Sequence, residues 1–171
     1  AVMPGLTVTL PDGGGTLATF AVQEEPADQD ADPATSEGVI IEASPTTLAT
    51  LAVGQQVRVE GTVSEQYGRT HLDAIGVAVC DDAAEVPAAT PITLPFANAE
   101  ATEGMLVTLP QDLSVLETYQ FAQYGEIVLG TERQFQPTGL AAPGSPEAIA
   151  IAASNEANRI ILDDARTAQN A

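Results

Sequence analysis

Lysine is absent from this chain, and five arginines stand against 24 aspartates and glutamates, so the net charge is −19 at pH 7. Such a charge repels phosphate backbones and keeps the surface hydrated, which argues against strong DNA binding by this chain alone. Scarce cations on an alanine-rich background also suit a protein that works in high salt, where screening shortens the reach of self-repulsion. Aromatic residues make up only 4% of the chain, few for a surface that would stack bases. Cys80 is the only cysteine; no internal disulfide can form, and a lone strand-end cysteine reads as a small core residue. No run approaches the ~18 apolar residues that a membrane span requires, so no membrane partner is expected. Ala1 opens without a basic n-region, which leaves any secretion signal removed or upstream.

Twelve prolines and fourteen glycines punctuate short apolar runs rich in Val, Ile and Thr, the pattern of a mostly β protein. A length of 171 residues leaves one or two domains open. The most informative run is Val53 to Leu72. Val57, Val59 and Val63 fall on one face of a strand and Arg58, Glu60, Thr62 and Ser64 on the other. Gly61 interrupts the inward series, as at a bulge or sharp coil. Gln66-Tyr67-Gly68-Arg69 makes a tight turn, and a second alternation at Ile75, Val77 and Val79 completes a hairpin. Upstream, Leu6, Val8 and Leu10 and then Ala18, Phe20 and Val22 read as two strands joined by a glycine-rich turn, with a further strand at Gly38 to Ile41.

Residues 81–95 are rich in alanine and proline and place a boundary near residue 100. Short strands follow around Val115, Leu129 and Ile160, and Ser145-Pro146-Glu147 predicts a capped helix from about 146 to 155. The expected architecture is a small β-barrel over 1–100. A second, incomplete β unit with one short helix follows over 101–171. That second unit has too few strands to close a barrel, and it either packs on the first or was completed by further sequence.

Between Glu24 and Glu37 the chain turns acidic. Asp28, Asp30 and Asp32 stand at alternate positions, a spacing that can aim carboxylates at a hard cation such as calcium. Pro33 occupies the place of the glycine of an EF-hand loop and no glutamate closes it, so that motif is excluded. A solvated acidic loop and a weak calcium site both stay open, the former carrying more weight.

Several segments together resemble the OB-fold (YhcR-like) region of ExeM/NucH-type secreted bacterial nucleases, without the catalytic domain. They are Phe20 to Glu24, Asp32 to Val39, Val53 to Leu72, Glu103 to Val107, Tyr124 to Glu126, Arg133 to Thr138 and Asn158 to Asp164. Their order and rough spacing agree over most of the chain, although Gln55 departs from the family's frequent aspartate. The resemblance implies an OB-fold-like barrel over 1–100, an incomplete OB-like unit over 101–171, and an extracellular, metal-dependent endonuclease as the parent. It also implies that the chemistry lies in a downstream catalytic domain of the same polypeptide, with magnesium and paired histidines. His71 is the only histidine here, so that site cannot be assembled from this chain.

OB-folds bind oligonucleotides or sugars across one sheet face. This makes Phe20, Arg58, Tyr67 and Arg69 the candidate contacts to single-stranded DNA, against the reading that Phe20 is core and the arginines pair with carboxylates. Tyr119 and Phe121 are expected to share a strand face and to serve packing between the units. The function expected is a non-catalytic accessory region of a secreted endonuclease, acting as a scaffold or weak substrate guide. The alternative is a calcium-dependent adhesion or carbohydrate-binding module of a secreted protein.

Overall fold

The computed structural model describes residues 2, 8–12, 15–30, 32–66, 68–81 and 86–164. The chain divides into two units, Ala1–Thr90 with Asn98–Thr108, and Pro91–Ala97 with Leu109–Ala171.

In the first unit, β1 (Val8–Asp12), β2 (Gly15–Gln23) and β3 (Gly38–Ala43) form an antiparallel meander. After β3, the Ser44 hydroxyl accepts from Thr47 N at 3.1 Å and Pro45 opens the one-turn helix α1 (Pro45–Leu48). The hairpin of β4 (Gln56–Gln66) and β5 (Arg69–Asp81) follows, and β5 runs parallel to β3, so the sheet order is β1-β2-β3-β5-β4.

Alternation gives β2, β3 and β5 two distinct faces. Phe20, Ile41 and Leu72 stand in register on one of them. There a core forms from Val2, Phe20, Ile41 and Ala43, with Leu48, Leu51, Val57, Val59 and Val77 packed against it. The other face carries Thr19, Ala21, Gln23, Ile40, Glu42 and His71, all buried. Leu106 packs on Ala21 and Ile40, and its N–H donates to Gln23 Oε1 at 2.9 Å. The approach of this covering segment depends on glycine at both partners. A Cβ on Gly38 would lie 2.5 Å from Gly104 C, and Gly104 itself has φ +69°.

The hairpin is irregular at two places. Glu60 pairs with Gly76 and Gly61 with Ala74, which leaves Ile75 as an extra residue; Val57 pairs with Val79 and Gln56 with Asp81, which leaves Cys80 extra. Each bulge reverses the inward parity. Leu72 and Ala74 therefore face the core before the first bulge and Val77 after it, while Ile75 is 78% exposed. The plain Ile75, Val77, Val79 alternation is corrected accordingly, and Cys80 is exposed rather than core.

A closed barrel is not formed among the described residues. β1 and β4 remain the two edges of the sheet, and the 11- and 13-residue strands of the hairpin outrun the 5-residue β1. Val63 is left 65% exposed. Val2 reaches across the opening: it pairs with Val22, its N–H donates to Gln55 O, and its carbonyl accepts from Gly54 N, both at 2.9 Å.

The second unit holds an antiparallel sheet in which Arg159–Leu162, Ile127–Gly130 and Ser114–Glu117 lie in that order. The helix Pro146–Ala157 starts where Ser145 Oγ accepts from Ala148 N at 3.2 Å, with Pro146 and Glu147 in its first turn. Two helical turns, Phe121–Tyr124 and Pro137–Leu140, join it, so the expected single helix is one of several. Tyr119 and Phe121 do not share a strand: Phe121 begins a helical turn, and the two side chains are 82% and 56% exposed.

Gly61 tests the bulge directly. A Cβ there would stand 2.3 Å from Asp73 O, whereas one on Gly76 meets nothing within 4 Å. Gly61→Ala is expected to cost about 1–3 kcal/mol by overpacking, and Gly76→Ala to be neutral or slightly stabilising; urea midpoints of the two variants check this.

Candidate functional site

The sheet face that carries the core is open at one end, where β2 and β3 run out into the acidic loop. A cleft of 470 Å³ lies there. Its floor is apolar, from Val22, Val39, Ile41, Val57, Val59 and Leu72, and its mouth is acidic, from Glu24, Glu25, Asp28, Asp30 and Glu37. No arginine is among the described residues that line it. A cleft of this composition favours cations and disfavours phosphate, whatever its shape.

The acids at the mouth disturb one another. Burial pushes the Glu37 carboxyl above its ordinary value, the Asp30 and Glu24 carboxylates push it further, and a side-chain hydrogen bond with Glu24 adds to this; a backbone hydrogen bond at Asp30 works against them. Asp28 and Asp30 thus line the cleft, and Asp32 does not. Asp30 Oδ1 accepts from Asp32 N at 2.6 Å and Asp32 Oδ1 from Ala34 N at 2.9 Å, so both carboxylates close local turns. Among the described residues no three His, Cys, Asp or Glu side chains come together as a metal cage.

On the opposite sheet face lies a chain of polar groups carried by neighbouring strands. Glu42 Oε1 is 2.8 Å from His71 Nδ1, and neither atom has another partner among the described residues. The other ring nitrogen, Nε2, accepts from Arg69 Nε at 2.8 Å. Acceptance at Nε2 places the imidazole proton on Nδ1, the nitrogen that stands 2.8 Å from the carboxylate without hydrogen-bond geometry. The ring therefore links a buried carboxylate to a guanidinium. Ser64, the cross-strand neighbour of His71, has a buried hydroxyl with no partner among the described residues. Serine, histidine and a carboxylate are the residue types of a nucleophilic triad, but the nitrogen that would take the serine proton is occupied by Arg69 and the ring is 1% exposed. The arrangement clamps β3 to β5 and offers no nucleophile–base pair.

The residues singled out from sequence are dispersed. Phe20, 2% exposed, is core and cannot stack on a base. Arg69 is held by His71. Arg58 is exposed on β4 and makes no hydrogen bond or ion pair with the described residues. Tyr67 lies outside the described residues. Sequence reasoning passed over Glu42 and Glu37. The signal for Glu42 was present: a carboxylate inside the apolar run Gly38-Val39-Ile40-Ile41-Glu42-Ala43 needs a partner. Compared with known families, curated proteins and solved structures, the chain finds no match.

Removing one member of a buried pair strands the other, so His71→Ala is expected to cost about 3–5 kcal/mol, while Glu42→Leu with His71→Leu recovers most of the loss; a double-mutant cycle in urea reads the difference. A carboxyl raised in the folded state contributes least once it is ionised. Glu37→Gln should therefore raise the melting temperature at pH 7, with the gain vanishing as pH falls below the ordinary carboxylate range.

Proposed function

We propose that this chain is a non-catalytic accessory module of OB type, belonging to a secreted endonuclease whose hydrolytic domain lies downstream in the same polypeptide. The order β1-β2-β3-β5-β4, with α1 between β3 and β4, supports a partly open, five-stranded Greek-key arrangement. Ligands of such folds use the face of the second and third strands and its flanking loops. The observation that carries the scaffold reading is that this face is already covered: Leu106 packs on Ala21 and Ile40 and bonds Gln23, while Thr19 and Glu42 are buried. The site offers a single-stranded guide little beyond the exposed Arg58. On this reading magnesium-dependent phosphodiester hydrolysis belongs to the downstream domain.

The calcium-dependent adhesion or carbohydrate-binding alternative draws on the acidic mouth of the cleft alone, where two of the three loop aspartates already close turns. Incubation of the chain with supercoiled DNA and magnesium tests the favoured reading. No nicking above background is expected; nicking that disappears in His71→Ala would overturn the non-catalytic role.

A further inference from the structure

In the second unit a cleft of 670 Å³ is bounded by the strand Ser114–Glu117, the 133–137 segment and the last turns of the helix Pro146–Ala157. That volume lies within the range of small-molecule sites, ~300–1,000 Å³. Two of the chain's five arginines, Arg133 and Arg159, line it. Arg133 makes no hydrogen bond or ion pair with the described residues, and its guanidinium lies 5.0 Å from the centre of the Phe135 ring. In a chain with 24 carboxylates, a guanidinium held over a half-exposed ring and without an ion pair among the described residues keeps its donors for something else. Arg159 is nearly as free, since its Nη1 is 3.7 Å from Glu156 Oε2, beyond hydrogen-bond length.

The segment that presents Arg133 and Phe135 is braced. Gln134 Nε2 donates to Asn155 O at 2.8 Å and Asn158 O at 3.2 Å, and Asn155 Nδ2 donates to Phe135 O at 3.0 Å. These bonds tie the segment to the helix end, so the ring and guanidinium are placed before any ligand arrives. Glu117 and Glu156 also line the cleft. Their carboxylates can accept from hydroxyl groups, and they offset the arginines enough to disfavour a polyphosphate or other polyanion.

We propose that this cleft binds a hydroxylated ring carrying one anionic group: the anion on the two guanidiniums, the ring against the Arg133–Phe135 stack, and the hydroxyls on Glu117 and Glu156. An acidic sugar, such as a uronic acid, fits the charge balance, and a nucleoside monophosphate shares the same chemistry. The cleft does not depend on the accessory-module reading, which concerns the first unit.

The test is titration of the full chain, followed by amide and arginine side-chain NMR, with galacturonate, with 5′-AMP and with uncharged galactose in separate arms. Shifts centred on Arg133, Phe135 and Arg159 are expected with galacturonate, with 5′-AMP or with both, and the responding arm identifies the source. Arg133→Gln should weaken binding about tenfold with an unchanged melting temperature, and Arg58→Gln, which belongs to the first unit and does not line this cleft, should leave binding intact. The proposal is overturned if neither anion shifts these residues, if galactose binds equally well, or if Arg58→Gln weakens binding as much as Arg133→Gln.

Discussion

The first unit depends on a parallel pair, β3 against β5. Parallel neighbours cannot be joined by a tight turn, so the chain must leave the sheet and return. It does so through α1 and β4, and the return strand β4 becomes an edge. Where the two strands pair, Ile40, Ile41, Glu42 and His71 are buried, so the polar ones need a partner within the protein. Glu42 on β3 and His71 on β5 stand 2.8 Å apart across the parallel seam as a close polar contact, and Arg69 extends the chain outward to solvent.

Charge is distributed unevenly over the fold. Cations are few: Arg69 closes the buried chain, while Arg133 over Phe135 and Arg159 near Glu156 keep their N–H donors largely unused among the described residues. The carboxylates have no comparable supply of partners. They collect at the mouth of the first unit's cleft, where mutual repulsion adds to burial in raising Glu37. Two openings result with different preferences, one acidic at its mouth and one lined by both arginines and glutamates.

Much of the local structure was legible in residue order. Alternation marked β2, β4 and β5, Ser145-Pro146-Glu147 marked the long helix, and Gly61 marked an irregularity where a side chain would strike Asp73 O. Legibility failed where periodicity itself changes. Ile75 and Cys80 look like ordinary strand residues, yet each is the additional residue of a bulge and turns outward. Phe121 followed a strand-like spacing and entered a helical turn, because alternation over two aromatic residues is too short to decide between periods.

The sequence alone determined the class of elements, their approximate limits and the electrostatic character of the surface, since propensity, periodicity and charge are properties of neighbouring residues. The open edges of the sheet, the burial of its outer face and the composition of both clefts were decided only in three dimensions. Leu106 reaches Gln23 across 83 residues, and Glu42 reaches His71 only because the parallel register sets them side by side. No local pattern encodes such encounters: they arise when distant segments compete to bury the same surface, and the winning register fixes which polar groups meet.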